Sequence, residues 1–193
     1  ILVSDEIHHD LVFADSTHYV TAKVAPEVCD RLVTLVAPSK TFNIAGGQVG
    51  FTVISDPELR RRLQRAGAAV GLNNPNRIGA LMATAAYAQG AAWLDALLPY
   101  LATNRDRLIA ALGEGIPGVR PMPCDSTYLA WADFSALGLT SDELFRRCVD
   151  RGKVAPHKGA IFGKGGEGWL RFNFALPRRE LDRAIDGLVE ALA

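Results

Sequence analysis

Residues 31–43 read RLVTLVAPSKTFN, an apolar, β-branched run that breaks at Pro38 and sets Lys40 between two hydroxyl residues, Ser39 and Thr41. A continuous apolar run of this kind suits a strand buried on both faces, in a sheet covered by helices. ILVSDE at 1–6 and GFTVIS at 50–55 share the texture and also end in polar residues. Open sheets of this type bind ligands beyond the carboxyl ends of their strands. The residues that follow each run are therefore the first place to look for chemistry.

Asp56 and Pro57 start the clearest helix, PELRRRLQRAGAAV, with an N-cap residue followed by proline at the first helical position. Its arginines, Arg60 to Arg62, read as a solvated face. After the break GLNNPN, apolar residues at Leu94, Leu98, Leu101, Leu108 and Leu112 fall at helical spacing, and Pro99 is expected to kink that helix. From Gly113 the texture changes. GVRPMP, STYLAWADF, KVAPHK and GWLRFNFA read as strands, TSDELFRRCV opens with the capping-box pair Thr140 and Glu143, and Leu181, Ile185, Leu188, Val189 and Leu192 mark a terminal amphipathic helix. The expected fold class is α/β: a mostly parallel portion over residues 1–90, a bridging helix over 91–112 and a small α+β domain over 113–193.

Lys+Arg and Asp+Glu both number 21, so the chain lacks the basic excess that nucleic acid or an anionic membrane demands. Small-molecule chemistry is the better default. Cys29, Cys124 and Cys148 are widely spaced with no CxxC, which reads as reduced packing residues in a reducing compartment and a cytoplasmic location. No apolar stretch reaches the roughly 18 residues of a membrane span. The chain opens inside a strand-like run with no methionine and no polar lead-in, and is read as the C-terminal portion of something longer.

GKGGEG at 163–168 matches G-x-G-x-x-G, but a dinucleotide fingerprint needs a helix after it, and WLRFNFA is strand-like. A mobile glycine-rich loop is the better reading. DEIHHD at 5–10 gathers carboxylates and histidines; a metal site is disfavoured because neighbours on an extended chain point to opposite faces. Asp5, at a strand's end, is placed to meet a ligand, and in a partly desolvated pocket it needs a cationic partner such as a protonated heterocycle. Lys40 follows the next strand; a desolvated lysine becomes a nucleophilic amine, although an exposed surface charge remains the ordinary alternative. Arg171 sits in the otherwise apolar strand LRFN, where its fork requires a carboxylate or phosphate from either the protein or a substrate.

An aspartate, a lysine and an arginine so placed amount to a kit for pyridoxal phosphate chemistry. SDEIHHDLVF, APSKTFNIAG, STYLAWADF and FGKGGEGWLRFNFALPR, in that order, resemble the fold-type I pyridoxal-phosphate enzymes of the aminotransferase class I/II superfamily. Within it the resemblance is nearest to the cystathionine β-lyase-like C-S lyase branch typified by the MalY and PatB proteins. The resemblance implies the C-terminal part of a PLP-transferase-like large domain followed by a small α+β domain, in a family whose members are about twice this length. It implies pyridoxal 5'-phosphate as cofactor, with Lys40 as the Schiff-base lysine and general base, and Asp5 on the pyridine nitrogen. His8 would donate near the phenolic oxygen, and Ser39 would bind phosphate with the backbone amides of APSK. Asn76 would reach the phosphate of a neighbouring subunit in a homodimer with shared sites. Arg171 would hold the substrate α-carboxylate, and Tyr128 would line the entrance or pack in the core.

Many aminotransferases of the family carry a serine three residues before the lysine and an arginine eight after it; Ala37 and Gln48 stand there. These departures lean toward the lyase branch. The implied activity is β-elimination on cystathionine or L-cysteine S-conjugates to thiol, pyruvate and ammonia, with an L-amino-acid aminotransferase as the alternative. A third reading is an inactive or regulatory fragment that lacks the N-terminal half of the site.

Overall fold

In the computed structural model, which describes every residue except Asp15 and Asn73, β1 (Leu2–Asp5) and β2 (Leu32–Val36) run parallel with Asp5 opposite Leu35. β3 (Phe51–Val53) pairs with the other edge of β2, antiparallel. That sense departs from the mostly parallel expectation for this stretch. The link after β2 holds only a one-turn helix, α2 (Pro38–Thr41), and a 3-10 turn at Ala45–Gly47, so the chain doubles back instead of crossing over through a full helix. β2, paired on both sides, buries Leu32 and Thr34, whereas β1 and β3 leave Leu2, Val3, Phe51 and Val53 exposed within this chain. The expectation of strands buried on both faces is not met within this chain: even central β2 buries only the face of Leu32 and Thr34, while Val33 and Leu35 on the other face stay half-buried.

The chain divides into two compact units, Ile1–Leu98 and Pro99–Ala193. In the first, α1 (Thr21–Val24), α3 (Pro57–Ala69) and α4 (Arg77–Gln89) accompany the three strands. Asp56 caps α3 by accepting from Leu59 N at 2.6 Å, with Pro57 at the first turn, as its sequence predicts. The long helical stretch is interrupted at Gly90, which ends α4. α5 (Ala91–Gly115) runs continuously through Pro99, whereas at Gly90 an added Cβ would come within 2.3 Å of Phe42 Cε1. Phe42 occupies that space, edge-on to Tyr87 and tilted against Trp93.

Directly after β1, Glu6 is only 5% exposed. Burial opposes its charge, but hydrogen bonds from His18, Thr21 and Ser4 outweigh that penalty and bring its pKa down to about 2. Thr21 N donates to Oε1 at 3.0 Å and His18 Nε2 lies 3.0 Å from Oε2, so the carboxylate ties the β1 terminus to the start of α1.

The second unit is built on a four-stranded antiparallel sheet in the order β4 (Arg120–Pro121), β5 (Leu129–Asp133), β7 (Trp169–Asn173), β6 (His157–Lys158). Ala130, Ala132, Leu170 and Phe172 are buried, as are Leu144 and Cys148 of α6 (Ser141–Asp150) and Leu181 and Leu188 of α7 (Arg178–Leu192). The capping box is formed as its spacing predicts, with Thr140 Oγ1 accepting from Glu143 N and the Glu143 side chain accepting from Thr140 N. The glycine-rich loop is a tight crossing. Gly163, Gly165 and Gly168 have positive φ, and a Cβ on Gly166 would meet Gly159 O at 2.1 Å. No helix follows it, since β7 begins at Trp169.

Two stability outcomes follow from this packing. Gly159→Ala drives a Cβ to 2.5 Å from Gly166 O and 2.6 Å from Trp169 Cβ, so urea denaturation should show a loss of about 2–4 kcal/mol; a wild-type midpoint would show that the crossing opens without strain. Glu6 titrates near 4.5 when unfolded and near 2 when folded, so its contribution is complete above about pH 4.5 and is lost as pH falls through 2. Glu6→Gln should cost on the order of 2–3 kcal/mol at neutral pH and flatten the acid limb of the stability curve. An unchanged acid limb would remove Glu6 as its cause.

Candidate active site

Because β1 and β2 are parallel and in register, both strands deliver their carboxyl ends to the same rim of the sheet. Asp5 is the last residue of β1, and Glu6 N continues the pairing by donating to Leu35 O at 2.9 Å. The chain then turns through Ile7–Asp10, and Asp5 Oδ1 accepts from Ile7 N at 3.3 Å. His8 lies on that turn, half-buried, with its carbonyl accepting from Leu11 N.

On the β2 side, Ala37 is extended and Pro38 opens the single turn of α2, which carries Ser39 and Lys40. Both are half-buried, and among the described residues neither the Lys40 amine nor the Ser39 hydroxyl has a partner. Thr41, next in sequence, is 0% exposed, and its Oγ1 donates to Asp10 Oδ2 at 2.9 Å. Asn43 and Gln48 adopt left-handed backbone, which folds the lysine loop back on itself.

Asn76 is engaged within its own unit. Its Oδ1 caps α4 by accepting from Ile78 N, and its Nδ2 donates to Gly47 O, each at 3.0 Å. Gly79 and Gly47 approach so closely that a Cβ on Gly79 would lie 2.2 Å from Gly47 O. Asn76 thus pins the N-terminus of α4 against the loop that follows the lysine.

The carboxylates and histidines of DEIHHD serve one another and their surroundings. His9 Nδ1 donates to Glu6 O at 2.6 Å, His9 Nε2 lies 3.2 Å from Asp10 Oδ1, and Glu6 is taken up by His18 and Thr21. Among the described residues no three such groups come together as a metal-ligand set.

The second unit holds Arg171 and Tyr128. Arg171 sits in β7 opposite Trp131 of β5 and His157 of β6. Its guanidinium lies 4.3 Å from the Phe162 ring centroid, and Phe162 in turn packs edge-on against Trp131. Among the described residues Arg171 has no carboxylate partner, and its Nε is buried without a hydrogen bond. A guanidinium held by its face and left with orphaned donors is prepared for an anion. Tyr128 is half-buried, and burial pushes its phenol pKa up. Thr127 beside it is β-branched with φ +64°, a strain of about 1–3 kcal/mol of the kind that collects at functional sites.

Asp10, Thr41, Phe162 and Thr127 escaped the reading of the sequence. For the first pair the available signal was topological, since residues after two parallel neighbouring strands meet at one rim. Phe162 stands immediately before the glycine-rich loop, which drew attention to the loop and not to the ring.

The sequence pattern of the family described as "Aminotransferase class I and II" matches residues 1–188. Cystathionine β-lyase PatB of Bacillus subtilis is 40% identical over 192 residues, covering 100% of this chain and 50% of that protein. Protein MalY of Escherichia coli is 32% identical, covering 99% of this chain and 48% of its own length. Among solved structures, cystalysin from Treponema denticola, which contains pyridoxal 5'-phosphate, superposes with a TM-score of 0.94 at 29% identity, over 99% of this chain and 48% of cystalysin. The PLP-bound C-S lyase from Staphylococcus hominis gives 0.88 at 27% identity, with 99% and 48% covered. The chain spans about half the length of the curated relatives it matches. From its first residue to the last helix, this chain belongs to the aminotransferase class I and II family.

Proposed function

We propose that this chain is the C-terminal half of a pyridoxal 5'-phosphate-dependent C-S β-lyase that cleaves cystathionine or other L-cysteine S-conjugates to thiol, pyruvate and ammonia. The observation that carries the reading is the half-buried, unpartnered Lys40 amine on the same sheet rim as Asp5. The similarity to PatB and to PLP-bound C-S lyases supports it, as does the orphaned Nε of Arg171.

The residues present fit the cofactor. Lys40 would hold it covalently through its amine, for which no carboxylate among the described residues competes. Ser39, with an unpartnered hydroxyl at the start of α2, would accept the phosphate. Asp5 would hold the proton on the ring nitrogen, with His8 beside the phenolic oxygen. When bound, pyridoxal 5'-phosphate supplies an electron sink that acidifies the substrate Cα–H. The Lys40 amine would also serve as the general base for the Cα proton and would be placed to return a proton later. Arg171 fixes the α-carboxylate in two parallel hydrogen bonds, with Phe162 limiting the tilt of the fork and Tyr128 at the entrance. Asn76 enters as the cap that holds α4 against the lysine loop.

An aminotransferase uses the same groups, and the replacement of the phosphate-site serine and arginine by Ala37 and Gln48 favours the lyase. The reading includes a homodimer with shared sites. It also includes dependence on a segment matching the other half of the relatives, for which the exposed apolar residues of β1 and β3 are support. A reduced, cytoplasmic setting agrees with the free Cys29, Cys124 and Cys148. No described helix is long and apolar enough to cross a membrane.

The test joins this chain to a segment matching the missing half, adds pyridoxal 5'-phosphate, and follows absorbance at the visible edge and pyruvate release from cystathionine. Wild type should gain the band and release pyruvate. Lys40→Ala should lose the covalent band and at least about 10³-fold in kcat, and Arg171→Lys should weaken kcat/KM by about 10²-fold. Amino-group transfer to a second keto acid, with no thiol or pyruvate, would assign the aminotransferase instead. Absence of any band in wild type would leave the non-catalytic fragment.

A further inference from the structure

We infer that Asp10, acting through Thr41, is a positioning residue that sets the place of the Lys40 amine; the inference rests on the assignment of Lys40 as the reactive lysine. Among the described residues that amine has no partner, so none of them locates the tip of its side chain. Its position must come from the backbone of α2, which is a single turn and too short to be stable by helical hydrogen bonding alone. Two backbone bonds close the turn, Phe42 N to Pro38 O at 2.9 Å and Ile44 N to Ser39 O at 3.0 Å. Both lie within the loop and tie it to nothing else.

The side chain of α2 that reaches out to the end of β1 is Thr41, whose Oγ1 donates to Asp10 Oδ2 at 2.9 Å. It is charge-assisted, and its donor is 0% exposed, so water cannot readily replace Asp10 as the partner of the Thr41 hydroxyl. Asp10 ends the turn that begins just after Asp5 and carries His8. That turn is itself braced by His9, which donates through Nδ1 to Glu6 O and sets Nε2 at 3.2 Å from the other Asp10 oxygen. One carboxylate therefore joins the segment carrying Asp5 and His8 to the turn carrying Lys40. On the far side of Thr41, Phe42 is wedged between Tyr87 and Trp93, so Thr41 is held from both directions. The spacing between the amine and the groups at the end of β1 is then set by this cross-link, leaving the amine itself uncommitted.

The test uses the full chain and reads Lys40 directly. Trace acetylation at neutral pH, followed by digestion and mass spectrometry, gives the labelling of Lys40 relative to the exposed Lys23 and Lys164 in the same sample. Thr41→Val removes the donor at nearly constant volume and should change the ratio about threefold or more, whereas Thr41→Ser, which keeps the hydroxyl, should restore it. Asp10→Asn, which keeps the shape and an acceptor, should move the ratio in the same direction as Thr41→Val. Gly159→Ala lowers stability in the other unit and should leave the ratio unchanged, which separates positioning from loss of fold. A folded Thr41→Val or Asp10→Asn protein with the wild-type ratio would overturn the inference. Failure of wild type to form a visible band with pyridoxal 5'-phosphate in the joined protein would count against the proposed function, while the labelling ratio would still decide the role of Asp10.

Discussion

The parallel pairing of β1 with β2 is the constraint on which the candidate site depends. Asp5 opposite Leu35 means that both strands end at one rim, and everything of chemical interest in the first unit lies in the few residues beyond it. A one-residue slip in register would turn Asp5 and its neighbours to the opposite face. Glu6 N extends the pairing by donating to Leu35 O, and the buried Glu6 carboxylate, met from His18, Thr21 and Ser4, holds the end of β1 in place. The group that holds the strand end and the groups proposed to do chemistry are sequence neighbours with opposite environments.

The second unit solves a different problem, that of holding a cation without neutralising it. An internal carboxylate beside Arg171 would stabilise the fold and occupy the fork. The structure instead places Phe162 over the guanidinium face, which limits its rotation and leaves the edge donors uncommitted. The cost is visible in the buried, unbonded Nε. Close packing at the Gly159–Gly166 crossing gives that region the rigidity to tolerate it.

Local rules were legible in the sequence and tertiary choices were not. The Asp56 cap, the Thr140–Glu143 capping box and the α7 stripe each depend on residues within a turn or two of one another, and each forms as its spacing implies. The antiparallel sense of β3 depends on how the loop after Lys40 doubles back, which apolar texture does not encode. Pro99, the residue with the strongest intrinsic effect, stays inside α5. The interruption at Gly90 had no such local signal, since the space there is filled by Phe42, distant in sequence. In the site, Asp5 and Lys40 could be named from their places after strands, whereas Thr41 and Phe162 acquire meaning only from partners brought by folding.

On the proposed role of Lys40, its uncommitted amine gives the cross-link beneath it a purpose. A lysine that must act as nucleophile and then as base cannot be anchored by a carboxylate, since an ion pair would hold it protonated and withdraw the lone pair. Its long side chain carries about 2 kcal/mol of rotamer entropy, so an amine free at its tip and mounted on a loose loop would sample positions far from the reacting carbon. Placement to within the fraction of an ångström that proton transfer requires must then come from the turn at its root. Thr41 is buried, adjacent and bonded to Asp10 on the neighbouring strand's turn, so it supplies that placement without touching the amine.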